Sequence, residues 1–259
     1  MNIARGMLKT VDELTKRLSG DPGRPRLTWY GDDGERIELS GAVLDNWVSK
    51  TTNLLVEEFD AAPGATVLLD LPAHWRTAVW ALAVWRCGAT VRVPAPDAGG
   101  GPRDGAADVV VTADPERHDG ARDVVAVALP ALARTFPGAL PRGAVDAASA
   151  VMTYADVVLA APAPDPAAPA LEAGDVAVAH DDLFAWAADG SASAAPGARV
   201  LVRGDGPLPD VLRRLVAVWA DGGSVVLVSA ATAAALDADP ARRERLVAQE
   251  GVTDAAPAA

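Results

Sequence analysis

Apolar and polar positions fall into blocks along the chain, and one block pattern occurs twice. Residues 63–93 read PGATVLLDLPAHWRTAVWALAVWRCGATVRV, and residues 196–228 read PGARVLVRGDGPLPDVLRRLVAVWADGGSVVLV. Each begins at a Pro-Gly turn, continues through an apolar run and a stretch with helical apolar spacing, then reaches a glycine and a second apolar run. The Pro-Gly pairs lie 133 residues apart, while Trp85 and Trp219, like Gly88 and Gly222, lie 134 apart. This is the pattern of a β-α-β unit. The first copy predicts strands at Thr66–Leu69 and Thr90–Val93, with a helix that follows Pro72-Ala73-His74 and ends near Arg86. The second predicts strands at Val200–Val202 and Ser224–Val228 around a helix over Asp210–Ala220. Trp75, Trp80 and Trp85 are spaced by five, and each such step turns the side chain by about 140°. The first helix is therefore expected to be covered on more than one side, between a sheet and the helix that precedes it.

Outside the copies, Ile3, Met7, Leu8, Val11, Leu14 and Leu18 predict an amphipathic helix over Asn2–Ser19. Leu27–Tyr30 and Arg36–Leu39 predict a hairpin around Gly31-Asp32-Asp33-Gly34. Ser40 is placed to cap a helix reaching about Phe59. Its Leu44, Trp47, Val48, Thr51, Leu54 and Leu55 form the buried face, with Asp45, Asn46, Lys50 and Asn53 mostly on the other side. Between the copies the pattern predicts strands at Asp108–Thr112, Asp123–Leu129 and Asp175–Ala179. It also predicts a short helix over Leu132–Phe136, fragments at Val145–Tyr154 and Val157–Leu159, and a helix from His180 or Asp181 to Ala188. Pro94–Ala107, with Gly99-Gly100-Gly101, reads as a flexible connection. Ala160–Leu171 reads as a linker whose four prolines exclude a helix or a central strand. A last charged helix is expected over Pro240–Gln249.

The expected fold class is α/β: a layered, mostly parallel sheet with flanking helices and two similar βαβ-containing halves. One domain over 1–259 is expected, with one lobe at about 20–136, a connection at about 137–175 and a second lobe at about 176–253.

Charge narrows the partners. The formal net charge is −12, from 23 basic and 35 acidic residues, a field that repels nucleic-acid phosphates and anionic lipid, so neither is an expected partner. No apolar run is long enough for a membrane span and the N-terminus lacks the apolar core of a signal peptide, so the cytoplasm is the expected location. Cys87 stands alone, which excludes an intrachain disulfide, and its place at the end of an apolar helix suits a small buried thiol.

One family shares this order of pieces. Arg36-Ile37-Glu38-Leu39-Ser40, the helix ending Thr52-Asn53-Leu54-Leu55, Pro63-Gly64, Leu71-Pro72 and Ala83-Val84-Trp85-Arg86-Cys87-Gly88-Ala89 together resemble the N-terminal part of acyl-CoA synthetases and related adenylate-forming enzymes. The likeness runs over about residues 25 to 93. Val176–Phe184, Gly204–Leu208, Ala220–Val228 and the stretch from Asp239-Pro240 to Gly251-Val252-Thr253 resemble later segments of the same large domain. More narrowly, the chain resembles a small actinobacterial family of unknown function built from a truncated adenylate-forming domain. The resemblance implies part of that large domain's fold. It also implies a glycine-rich phosphate loop ending in Pro-Lys-Gly between about Tyr154 and Asp175, and a lysine from a C-terminal lid. The interval instead carries the Ala/Pro segment and Gly174, and no lysine follows Lys50. A phosphate loop needs glycines that let backbone N–H groups converge, and a cation beside them. Adenylation and acyl-CoA ligation are therefore not expected. No cofactor is expected either, with an adenine nucleotide as the alternative.

No catalytic or metal-binding residue is assigned: there is no GxSxG elbow, no HxxxH and no ligand-spaced His/Cys set. Ligands of open α/β sheets sit beyond the C-terminal ends of the strands. That rule makes Asp70, His74, Gly204, Asp205 and Gly206 the candidate pocket rim, and the resemblance adds His180. For both histidines the structural alternative is local hydrogen bonding. The expected function is a non-catalytic homologue acting by ligand or protein binding. The alternatives are an enzyme of altered chemistry on an acyl or nucleotide-like substrate, and a subunit that completes an active site with a partner chain. An unpaired sheet edge makes a homodimer or a protein partner the expected assembly.

Overall fold

The computed structural model describes residues 8–32, 34–94, 107–118, 120–189 and 194–255. Helix α1 (Val11–Ser19) starts where the Thr10 hydroxyl accepts a hydrogen bond from the Glu13 amide, and it buries Val11, Leu14 and Leu18. The helix expected from Asn2 thus begins at Val11 within the described residues, because the Thr10 cap fixes its first turn. Strands β1 (Pro25–Tyr30) and β2 (Arg36–Ser40) form the predicted hairpin, and Ser40 caps α2 (Gly41–Phe59). The first copy follows as β3 (Thr66–Asp70), α3 (Trp75–Arg86) and β4 (Thr90–Val93). Then come β5 (Val109–Thr112), β6 (Val124–Ala126), β7 (Val145–Asp146) and the single turn α4 (Ala147–Ala150), capped by Asp146. A second hairpin, β8 (Pro169–Ala173) and β9 (Val176–Ala179), leads to α5 (Leu183–Asp189). The second copy is β10 (Arg199–Gly204), α6 (Leu208–Ala220) and β11 (Ser224–Ser229). It is followed by α7 (Ala230–Ala238), α8 (Pro240–Glu250) and β12 (Asp254–Ala255).

The strands form two sheets, ordered β7-β6-β5-β3-β4-β8-β9 and β12-β10-β11-β1-β2. Every pairing is parallel except the two hairpins, each of which places its second strand on a sheet edge. The two βαβ copies lie in different sheets, and their likeness extends beyond them. The orders β5-β3-β4-β8-β9 and β12-β10-β11-β1-β2 are the same, in the same sense. Registers match as well: Val67 faces Val109 where Val200 faces Asp254, and Val91 faces Leu171 where Val225 faces Leu27. Both hairpins shift register after an opening proline, between Pro25 and Leu27 and between Pro169 and Leu171. Each half's hairpin completes the sheet of the other half.

Helix α3 lies between the sheets, against β3 and β4 of one and β1 of the other, with α1, α2 and α6 packed around it. All of its residues are buried, as the spread of its tryptophans predicts. The main core runs through this layer, from Val67, Leu69 and Val91 on one sheet to Val200, Val225 and Leu227 on the other. The opposite face of the five-stranded sheet, through Leu201, Val226 and Val228, is covered by Ala233, Leu236 and Leu246 of α7 and α8.

Three expectations need correction. The linker Ala160–Leu171 ends in β8, an interior strand between β4 and β9. Proline is tolerated there because Pro169 is its first residue, where a missing N–H costs no ladder bond. Leu132–Phe136 is not helical. Pro130 opens a turn to Ala133 instead, and Asp146 accepts from the Phe136 amide. Finally, Ala230–Ala238 is a helix that periodicity did not single out, started by the Ser229 cap. No helix of the described residues is long and apolar enough to cross a membrane.

Candidate functional site

The ends of the parallel strands bring the two predicted loops together. A Cβ on Gly204 would lie 2.7 Å from the Val228 carbonyl and 3.1 Å from Ala73 Cβ, so glycine is what lets the β10 end approach the loop after β3. His74 is buried here. Its Nδ1 accepts from the Arg76 amide at 3.1 Å, capping α3, and its ring meets Trp29 edge-on at 4.5 Å. Burial, helped by the neighbouring Arg76 charge, pulls its pKa down to about 3, so the ring is neutral at physiological pH. Asp70 accepts from His118 Nε2 at 2.8 Å. Asp205 is held by Arg203, which also binds Asp237 at 2.7 Å, whereas Gly206 faces open space. Two of the predicted rim carboxylates are thus committed to neighbours.

Three residues that the sequence reading did not single out close this region. Glu35 accepts from Trp29 Nε1 at 3.0 Å and from the Ala131 amide at 2.7 Å. Arg76 donates from Nη2 to the carbonyl of Ala131 at 3.2 Å, and its guanidinium lies over Trp75 at 4.3 Å and Trp47 at 5.5 Å. A cavity of about 10 Å³ lies among Trp47, Trp75, Arg76 and Val151, room for a water-sized occupant. A charged residue on a helix predicted to be covered on more than one side was the one available signal for Arg76. Glu35 and Trp29 had none, because their role depends on contacts distant in sequence.

His180 is not with the others. Its Nε2 donates to the Gly88 carbonyl at 3.2 Å, beyond the C-terminus of α3, whereas His74 caps the N-terminus. Twelve helical residues, about 18 Å, separate those ends. Burial lowers the His180 pKa as well, against the pull of the backbone carbonyls it meets. It therefore serves as a neutral lock on the Gly88 turn. Cys87, next to that turn, is buried, and its thiol is pushed up to about 11 by burial.

The same end of α3 holds the larger space, a groove of about 530 Å³ between α1, α2, the end of α3 and residues 156–164. Arg86 forms its polar floor, with Nη1 on Asp45 and Ser49 and Nη2 on Asp12, while Lys16 pairs with Asp12 at 2.7 Å. The opposite wall is Val157, Val158, Ala161, Pro162, Ala163 and Pro164. That wall is strapped to α2. Asn53 Nδ2 donates to the carbonyls of Ala155 and Val157 at 3.0 and 2.8 Å, and Lys50 Nζ donates to that of Tyr154 at 2.6 Å. The polar face of α2 is thus a clamp for this strap. Met152, Val157 and Leu159 along it are 58%, 60% and 69% exposed.

The interval in which the resemblance implies a phosphate loop consists of this strap, β8 and a two-residue turn, Gly174-Asp175, that joins Ala173 to Val176. Gly174 takes φ +56°, as a tight hairpin turn requires. Two residues cannot wrap a phosphate with converging N–H groups. Gly99-Gly100-Gly101 lies outside the described residues. Among the described residues, no group of three or more His, Cys, Asp or Glu side chains is placed to hold a metal ion.

Paired, mostly parallel sheets around a buried helix layer give this chain a fold similar to that of solved acyl-CoA synthetases. An acyl-CoA synthetase of Brucella canis superposes with a TM-score of 0.72 at 20% identity, over 96% of this chain and 47% of that one. A fatty acyl CoA synthetase of Mycobacterium tuberculosis gives 0.63 at 13% identity, over 85% and 44%. The chain therefore spans about half the length of those enzymes. No model of a protein family matches it. A TIGR03089 family protein of Mycobacterium tuberculosis is 37% identical over 247 residues, 93% of this chain and 94% of that protein. The chain belongs to the TIGR03089 family.

Proposed function

We propose that the chain is a non-catalytic homologue of the adenylate-forming enzymes that acts by binding a protein segment, and that it binds at the groove beside the end of α3. One observation carries this reading: the β8–β9 hairpin closes with Gly174-Asp175 in the interval where the resemblance implies a phosphate loop. The burial of His74, Trp75 and Arg76 after β3 supports it, because these side chains leave less room at that strand end. The groove supports the choice of surface, since its volume and mixed lining are those of a binding site. The partner's chemistry follows from what the strap displays. In the groove's lining Val157 is exposed next to Asp156, along a wall continued by Val158, Ala161 and Pro162, so the fitting segment carries aliphatic side chains next to a basic one.

ATP–pyrophosphate exchange with a panel of carboxylic acids tests the first half. Exchange at the level of the no-acid control is expected, and a clear rise with any acid would overturn the reading. Thermal shift with ATP–Mg²⁺, AMP, acyl-adenylate analogues and coenzyme A is expected to show no saturable stabilisation. For the second half, proteins retained by the immobilised chain are compared with those retained by a Val157→Asp variant and by a Leu132→Asp control. Retention that is lost only in the groove variant is expected, and equal retention by all three removes the groove from the proposal.

A further inference from the structure

Arg76 is 8% exposed, and among the described residues no carboxylate forms an ion pair with it. Glu35 acts on Arg76 at a distance, while its own hydrogen bonds come from the Trp29 indole and the Ala131 amide. The hydrogen bonds from Arg76 Nη2 go to neutral carbonyls, those of Pro130 and Ala131. Burial lowers its pKa to about 10, which still leaves the guanidinium charged at neutral pH. Among the described residues two buried donors at this point have no partner: Arg76 Nε and Trp75 Nε1. Both residues line the cavity of about 10 Å³. Leaving a charged donor buried and unsatisfied costs more than the loss of a neutral one.

We infer that this cavity holds a single-atom monovalent anion, chloride in a biological setting, bound by the N–H groups of Arg76 and Trp75. Size decides against carboxylate, phosphate or sulfate, since the space admits one water-sized occupant. Between water and a halide the charge of Arg76 decides. A water that accepts from both donors can give its own hydrogens to the Thr51 hydroxyl or to main-chain carbonyls of the lining, but it leaves the guanidinium without a counter-charge in contact. An anion needs donors only, and it brings that counter-charge. Bound there, it joins the first turn of α3 to the segment around α4 and helps to keep the strand ends closed.

The test uses the whole chain with chloride at constant ionic strength, exchanged against gluconate. A saturable rise in Tm is expected, about 3–6 °C at ten times the dissociation constant. Trp75→Phe keeps the ring and removes one donor, and is expected to weaken half-saturation about ten- to hundredfold. Arg76→Met is expected to abolish the response. Should that variant not fold, crystals soaked in bromide give the independent readout, an anomalous peak within hydrogen-bond distance of Arg76 Nε and Trp75 Nε1. A Tm that follows ionic strength equally in chloride and gluconate, or a bromide-soaked cavity without an anomalous peak, overturns the inference and leaves a water there.

Discussion

The two βαβ copies close their C-terminal ends alike and open their N-terminal ends differently. Trp85 Nε1 donates to the Ala170 carbonyl at 2.7 Å, and Trp219 Nε1 donates to the Arg26 carbonyl at 2.9 Å, each acceptor being the hairpin residue at the register shift. Gly88 and Gly222 turn the chain at φ +78° and +73°. Their carbonyls are held by His180 Nε2 and by Arg26 Nη1. At the other end, α3 begins on buried His74 and α6 on exposed Pro207. Asp70 is bound by a histidine in one copy, whereas in the other Arg203 bridges Asp205 and Asp237 at the surface. What joins strand to strand is thus the same in both copies. What faces the crevice has diverged, because only α3 is enclosed between the sheets.

The largest effect expected from that divergence is a dependence on acid. The folded pKa of His74, about 3, lies below its ordinary value of 6.5, so the unfolded chain binds the proton first. The stability this group contributes is complete above about pH 6.5 and is lost as pH falls towards 3, at about 1.4 kcal/mol per pH unit and about 4–5 kcal/mol in all. Pro207, in the same place in the second copy, contributes no such slope. Urea midpoints at pH 7, 5.5 and 4 should fall steeply in the native chain and less steeply in His74→Asn, which retains an acceptor for the cap. Equal slopes would mean that the imidazole is solvated and the crevice open.

Glycine at the shared turn separates the copies next. A Cβ on Gly88 meets Pro164 Cα and Pro63 Cγ at 2.9 Å each, while one on Gly222 meets nothing within 4 Å. Gly222→Ala carries only the positive-φ strain, about 1–2 kcal/mol. Gly88→Ala adds overpacking, for about 2–5 kcal/mol in total. Chemical denaturation of both variants measures the difference, and similar losses would show that the strap at Pro164 moves aside freely.

The repeat was legible in the sequence only where its core is. Pro-Gly, tryptophan and glycine kept their spacing because each sits at a fixed point of the βαβ unit. The hairpins did not show the same relationship, since Leu27 and Leu171 occupy equivalent registers at a different offset and share little beyond the preceding proline. Strand β8 was hidden by prolines that only its start tolerates. At the candidate site the strand-end rule named the right loops but could not show them filled, because Trp29, Glu35 and Arg76 meet there from separate parts of the chain. His180 was placed by resemblance alone, and its bond to the Gly88 carbonyl puts it at the far end of α3.

Ion pairs on the outer faces of the sheets make a third contrast. Glu250, buried on the five-stranded sheet, accepts from Tyr30 OH at 2.5 Å, Arg36 Nε at 2.9 Å and Arg199 Nη2 at 2.6 Å. Burial alone would raise its pKa, but these donors outweigh it and bring it to about 2. Its contribution, about 3 kcal/mol, is present above about pH 4.5 and lost as pH falls through 2. On the seven-stranded sheet, Glu172 pairs with Arg92 at 2.7 Å in a half-exposed position. At pH 7 Glu250→Gln should therefore cost about 3 kcal/mol and Glu172→Gln no more than about 1 kcal/mol. Comparable losses would place the Arg92 pair in a drier setting than its exposure indicates.

The smallest difference is expected where the copies agree. Trp85→Phe and Trp219→Phe each remove an indole donor from a buried backbone carbonyl and leave a small void. Each should cost about 2 kcal/mol, most of it from the carbonyl left without a partner. The two losses should agree within about 0.5 kcal/mol, since both rings are almost fully buried and both acceptors occupy the same irregular position of a hairpin. A gap above about 1 kcal/mol would mean that one hairpin can relax and re-pair its carbonyl. The first to relax would be β8, whose leading strap is tied to α2 by side chains alone, whereas Arg26 is also anchored by its own guanidinium to the carbonyls of Leu18 and Gly222. The sign of any gap therefore reports which half of the duplicated framework carries the movable segment, and that is the half that borders the groove.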